Sequence, residues 1–514
     1  MVEIDGNSLT IEQVQQVARG RSLAAISAGA RLRVNESRAI VDRLAGQDQP
    51  VYGINTGFGV FADRRIAAGE IQRLNRNLIL SHATGTGEAL PEEAVRAAML
   101  IRVNTLAKGY SGIRLEVIQT LVEMLNRGVI PVVPSQGSLG SSGDLGPLSF
   151  LGLVLSTDAA DRDEDSGWAA FEGEVLSGKA AMARAGIPRI VLGAKEGLAL
   201  NNGAAFSAAL ASLALWDAGI LLDTADVTVS LSLEASLGSS AAFDPRIQEV
   251  RGYPGQILAA RRILSILRGS TLIDSSGRVQ DAYSLRCAPQ VHGAVRDAAG
   301  FVRGIVEREI NAATDNPLIF PDGAALSGGN FHGEPTGLAM DTLGIAVAEL
   351  AAISERRIFR LTDSRLNAGL PPMLVDRAED AGLNSGMMMP QYLAASLVLE
   401  NRTLATPDSI HSLPTSAAQE DHNANSMTAA RHAAQIVANS AHVLAIEAYA
   451  ASRAIDIRLR QSKHARLGAG SQAAWDAIRA EVPYRGPDQW WNPEIEKTCA
   501  LVRAGSLALP GYPA

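Results

Sequence analysis

The chain has 514 residues, 47% of them hydrophobic but only 4% aromatic, and a formal net charge of -8. A core built from Ala, Leu, Ile and Val suits closely packed helices, and an acidic chain with no concentrated basic patch excludes a nucleic-acid surface and leaves small-molecule chemistry. The two cysteines, Cys287 and Cys499, exclude a disulfide scaffold, and the first residues lack the basic start and apolar core of a signal sequence, so a cytoplasmic protein is expected.

Length alone suggests about three domains, yet no Pro/Ser-rich linker divides the chain. One continuous unit is expected, with an N-terminal region over 1–200 and a long-helix bundle with a C-terminal helical region over 201–514. In the first region Val51-Tyr52-Gly53-Ile54-Asn55-Thr56-Gly57-Phe58-Gly59 is too glycine-rich for a helix and predicts a mobile loop.

The run from Gly137 to Gly146 places glycine at every third position around Ser141 and Ser142. It fits no common phosphate or nucleophile motif: Asp144 stands where a Walker loop needs Lys, and Gly140-Ser141-Ser142-Gly143 is one residue short of a nucleophile elbow. Such a backbone can fold back on itself. If the Gly143 nitrogen attacks the Ser141 carbonyl, a five-membered imidazolone closes with loss of water, and loss of the Ser142 hydroxyl leaves an exocyclic methylidene. From these residues alone a structural turn and a reactive loop stay equally open.

Further along, the acidic stretch Asp158–Asp165 reads as a solvated connection. Leu198 to Leu222, interrupted by Asn201, Asn202 and Asp217, predicts a buried helix rather than a membrane span. In Gln280-Asp281-Ala282-Tyr283-Ser284-Leu285-Arg286 the spacing of Gln280, Tyr283 and Arg286 would put all three on one helical face, where Arg286 could grip a carboxylate or make a structural ion pair. Polar loops follow at Ser327–His332 and Ser416–His422. Pro335 marks a helix start, with Leu343, Ala346, Leu350 and Ile353 as its apolar stripe, and Ile436, Val443 and Ala450 form a second stripe. Metal-ligand spacing is absent: the eight histidines are scattered, and His411 and His422 read as ordinary histidines.

Taken together, Tyr52–Gly59, Gly143-Asp144-Leu145, Asn202-Gly203, Tyr283-Ser284-Leu285-Arg286-Cys287 and Gly328-Gly329-Asn330-Phe331-His332 resemble the aromatic amino acid ammonia-lyases, in the same order over nearly the whole chain. The resemblance implies a mainly α fold in which a long central helix bundle joins an N-terminal region carrying the cofactor-forming loop. It also implies a homotetramer with active sites shared between subunits, no membrane or metal, and the cofactor 4-methylideneimidazole-5-one made from Ser141-Ser142-Gly143. Ser141 stands where Ala is usual, but only its backbone carbonyl reacts.

Ser81-His82 and Gln419-Glu420-Asp421-His422 are similar to the members of that family that act on histidine. This implies elimination of ammonia from L-histidine to give trans-urocanate, with His82 and Glu420 bonding the two imidazole nitrogens. By the same resemblance Tyr52 removes the β-proton, as a phenolate favoured by helix N-termini. Arg286 binds the carboxylate, Asn202, Gln280 and Tyr283 position the reacting groups or the cofactor, and Phe331 lines the pocket. Asn201 and the longer interval from His422 to Ser426-Met427 depart from the pattern near the expected pocket and bear on substrate choice. The alternatives are a lyase or 2,3-aminomutase for another aromatic or imidazole amino acid, and a catalytically dead homologue, against which the joint presence of Tyr52, Ser142, Gly143 and Arg286 argues.

Overall fold

A computed structural model describes residues 1–508. Eighteen α-helices dominate the described residues, and short strands form five sheets of two or three strands each. The expected mainly α, long-helix fold is therefore borne out. The longest helices are Ala205–Ala235, Glu334–Thr362 and Ser426–Gln461. Pro335 sits in the first turn of its helix, where its missing N–H costs nothing, and Leu343, Leu350 and Ile353 are buried as their spacing predicts.

Two of these helices, Ala205–Ala235 and Glu334–Thr362, are long and apolar enough to cross a membrane, but 78% and 67% of their most apolar stretches are buried within the protein. In the first, hydroxyls are satisfied by bonding back one turn: Ser212 Oγ donates to Ala208 O at 2.7 Å, and Ser230 Oγ to Asp226 O at 2.7 Å. Serine and threonine can therefore be buried there without an unmet donor.

Contacts divide the chain into two compact units. The first comprises Met1–Trp216, Arg303–Asp341 and Pro407–Arg431. Its strand Val2–Ile4 pairs in parallel with Ala24–Ile26, and between them helix Ile11–Ala18 opens with a capping box of Thr10 and Gln13. Helix Glu92–Ala107 is buried from Ala94 onward. Its two buried arginines end on carbonyl oxygens: Arg96 reaches Val17 O at 2.9 Å, and Arg102 reaches Thr314 O at 3.1 Å. The second unit comprises Asp217–Val302, Thr342–Thr406 and the chain from His432 onward. One of its apolar clusters gathers Val229, Leu233, Phe243, Ile263 and Leu285, another Ala351, Ile358, Val398, Val443 and Ile446. Beside them the buried Glu447 carboxylate accepts from Arg357, Thr228, Ser232 and Ser354, the density of donors an ion needs when taken out of water.

Two expectations need correction. The predicted single helix over Leu198–Leu222 is broken: one helix ends at Asn201 and the next begins at Ala205, because Gly203 takes φ +145° to receive a distant segment of chain. Gln280 does not share a helical face with Tyr283 and Arg286, because the helix there is the single turn Tyr283–Arg286 and Gln280 precedes it.

Candidate active site

The glycines of the Ser141-Ser142 loop are there for close approach. Gly140 and Gly143 adopt φ of +67° and +74°. A Cβ on Gly143 would lie 2.3 Å from the carbonyl carbon and oxygen of Gly203, which is backbone and cannot step aside. The contact is closed by Asp144 N donating to Gly203 O at 2.7 Å. Elsewhere Gly333 N donates to Gly140 O at 2.9 Å and Asn425 N to Leu139 O at 2.7 Å. Three remote segments thus hold one loop in a folded-back shape. Below it Asp144, fully buried, accepts from Ser138 Oγ at 2.8 Å and from Ser207 N and Oγ at 2.8 and 2.9 Å. Burial pushes the Asp144 carboxyl above its usual range, although these donors pull against it.

On the exposed side of the loop, Asn202 Nδ2 donates to Ser142 O at 3.0 Å, and Ser142 Oγ donates to Glu420 Oε1 at 2.8 Å. Glu420 is presented by a tight turn: Thr415 N donates to Glu420 O at 2.8 Å, and between them Ser416, Ala417 and Ala418 all have positive φ. Non-glycine residues in that region cost roughly 1–2 kcal/mol each. The fold sustains the strain and puts a carboxylate on Ser142.

Two cavities share a wall made of Tyr52, Gly59, Ser142, Leu198, Asn202 and Glu420. One, of about 720 Å³, adds Ser141, Phe331, His332 and His422; the other, of about 860 Å³, adds Ser81, His82 and Leu145. Of the residues predicted from sequence, Tyr52, His82, Ser141, Ser142, Asn202, Phe331 and Glu420 therefore meet around one wall. Gln280, Tyr283 and Arg286 belong to the second unit and line neither cavity. Tyr283 is exposed there, with the Arg286 guanidinium 4.8 Å from its ring centre. Asn201 is not a pocket residue either: it is buried and its Nδ2 bonds Ser149 Oγ at 3.2 Å.

The electrostatics differ from expectation at Tyr52. Its hydroxyl meets one backbone amide, Gly59 N at 3.5 Å, at the start of the 3-10 turn Gly59–Phe61. Burial outweighs that donor, and the Glu420 carboxylate adds to it, so the phenol is pushed above its ordinary value of 10. His82 shifts the other way, below 6.5, chiefly because burial disfavours the imidazolium. Its Nδ1 lies 3.0 Å from Ser81 Oγ, which is itself 3.2 Å from Leu78 O. Nδ1 is thus paired with Ser81. Nε2 remains to meet a ligand.

Sequence reasoning missed Ser207, Leu198 and Asn316, none of which sits in a recognisable motif, and the stacking of the His332 and His422 rings at 5.9 Å between centres. Among the described residues, no group of three or more His, Cys, Asp or Glu side chains could hold a metal.

The profile of the aromatic amino acid lyases matches residues 9–480, a span that contains every one of these site residues. The chain belongs to the aromatic amino acid lyase family. It is 48% identical to the histidine ammonia-lyase of Caldanaerobacter subterraneus subsp. tengcongensis over 98% of this chain and 97% of that one. Among solved structures, histidine ammonia-lyase from Trypanosoma cruzi superposes with a TM-score of 0.89 at 39% identity, covering 98% of this chain and 94% of that one. Tyrosine aminomutase from Streptomyces globisporus superposes at 0.91 with 34% identity, covering 98% and 97%.

Proposed function

We propose that this chain eliminates ammonia from L-histidine to give trans-urocanate, using a 4-methylideneimidazole-5-one ring made from Ser141-Ser142-Gly143. The observation that carries the reading is the cavity in which His82 and Glu420 flank Tyr52, Ser142 and Asn202. His82 and Glu420 can each hydrogen-bond a nitrogen of an imidazole and would be left unpaired by a phenyl ring. The near-identical length and 48% identity to a histidine ammonia-lyase point the same way.

The residues also fit the ring itself. The glycine-only contact of Gly143 with Gly203 gives the folded-back backbone that closure requires, and Asn202 already bonds the Ser142 carbonyl that the ring would retain. The ring supplies an electrophilic methylidene carbon that ordinary side chains lack. Around it, Asn202 holds the carbonyl in place, and the walls of Leu198 and Phe331 limit water. Tyr52 takes the β-proton. Burial and the Glu420 carboxylate oppose ionisation of that phenol, so a higher pH favours the base. Arg286 binds the substrate carboxylate, with Gln280 and Tyr283 positioning the reacting groups, in a cytoplasmic homotetramer whose sites combine residues of different subunits.

The test is to incubate the purified enzyme with L-histidine, follow the ultraviolet absorbance of an acrylate product, and identify the product by chromatography. Urocanate with equimolar ammonia is expected. A β-amino acid with no free ammonia would make the chain an aminomutase, and no reaction with histidine would remove the substrate assignment.

A further inference from the structure

The Ser142 hydroxyl has to leave before any methylidene exists, and hydroxide is a poor leaving group unless it is protonated as it departs. In the uncyclised chain that hydroxyl donates to Glu420 Oε1 at 2.8 Å. The second carboxyl oxygen, Oε2, accepts from Thr415 Oγ1 at 3.3 Å, and Glu420 N and O pair with Thr415 O and N at 3.3 and 2.8 Å. With three left-handed residues fixing the turn between them, the carboxylate is aimed at one atom. On the same residue, Asn202 Nδ2 donates to the Ser142 carbonyl at 3.0 Å, which withdraws electrons from it and makes the adjoining Cα–H more acidic.

We infer that Glu420 is a catalytic residue of ring formation, acting on the second dehydration, in addition to its part in binding substrate. The inference rests on the proposed self-made ring. The Gly143 nitrogen closes on the Ser141 carbonyl carbon, that carbon forms a double bond to the Ser142 nitrogen, and its oxygen leaves as the first water with one proton from each nitrogen. Glu420 then removes the Cα proton of residue 142. The electron pair becomes the Cα=Cβ bond, the Cβ–Oγ bond breaks, and the same proton passes from Glu420 to Oγ, completing the second water. The carboxylate ends as it began. The residue that later faces the imidazole first clears its own hydrogen-bond donor from the site.

Positioned proton transfer typically contributes about 10²- to 10⁴-fold. The experiment is cell-free synthesis of the full chain as wild type, Glu420→Gln and Glu420→Asp, with intact mass followed against time and folding checked by circular dichroism. Wild type should become two waters lighter than its sequence. The Gln variant should accumulate one water lighter, with its second loss slowed by about 10²- to 10⁴-fold, and the Asp variant should finish between the two. A folded Gln variant that loses both waters at the wild-type rate, or that stays at full sequence mass, overturns the inference. Should the Gln variant not fold, the Asp variant decides: slower loss of the second water supports the assignment, and an unchanged rate overturns it. Substrate turnover is not read, so the outcomes separate cleanly. Wild type that matures but ignores histidine removes only the substrate reading, whereas wild type at full sequence mass removes the ring and this inference together.

Discussion

Replacing His82 with leucine tests the imidazole pocket with the fewest side effects, because His82 has no bond to the Ser142 loop. In the structure His82 lines the cavity that contains Glu420, and its Nδ1 is paired with Ser81, which leaves Nε2 for a ligand. Leucine fills similar space but forms no hydrogen bond, so an imidazole nitrogen of bound histidine would be left unpaired. A buried unmet donor or acceptor costs about 1–3 kcal/mol. His82 is only partly buried, and it also lines a further cavity with Thr84, Thr86 and Gln136, from which water can reach the orphaned group. The lower half of that range is expected, about 1–2 kcal/mol or roughly a 5- to 30-fold fall in kcat/KM for L-histidine. The rate on L-phenylalanine should not fall. The assay is kcat/KM on both amino acids from the absorbance of the acrylate products. A change of less than twofold on histidine, or an equal loss on both substrates, would refute the assigned contact.

Tyr52→Phe should lose turnover by far more than it weakens binding, since the pocket keeps its shape. Because burial holds the wild-type phenol above 10, the competent phenolate grows as pH rises, so kcat should climb through the neutral and alkaline range; a plateau reached near neutrality would count against Tyr52 as the base. The stability contribution has the opposite sign, being present below pH about 10 and lost as pH rises through the folded value. Gly143→Ala should leave the protein at its full sequence mass, because the new Cβ meets the Gly203 backbone at 2.3 Å and the loop must open; a variant two waters lighter would contradict this. Ala417→Gly should stabilise the protein by about 0.5–1 kcal/mol, relief of a left-handed residue less the entropy of the added glycine, and a lowered denaturation midpoint would show that the turn is not strained as described.

The Ser141-Ser142 loop stood out because its glycines recur at intervals of three, although those residues alone left a structural turn and a reactive loop equally open. The long helices were legible from the spacing of Leu343, Leu350 and Ile353. What escaped was set by distance. The helix break at Gly203 has no cause within its own segment, since a leucine- and alanine-rich run continues on both sides; the cause is Gly143, brought from elsewhere in the chain. Ser207 and its bond to Asp144 are invisible for the same reason. At Tyr52 the direction of the shift was not legible, because it depends on burial and a nearby carboxylate that one amide at 3.5 Å does not offset. Asn201 and Asn202 are adjacent, yet only the second faces the cavity, a difference made by the helix ending between them.

The attachments of the Ser142 loop also set a clock. Its folded-back shape draws on Gly203, then on Gly333, and finally on Glu420 and Asn425. A ribosome that has just made Gly143 still has 282 residues to add before Asn425 exists (425 − 143), which at 5–20 residues per second takes roughly 14 to 56 s. Until Glu420 and Asn425 are made, the segment lacks part of the frame that holds it folded back. The folded-back shape is thus complete only after most of the chain has been synthesised and has found its place.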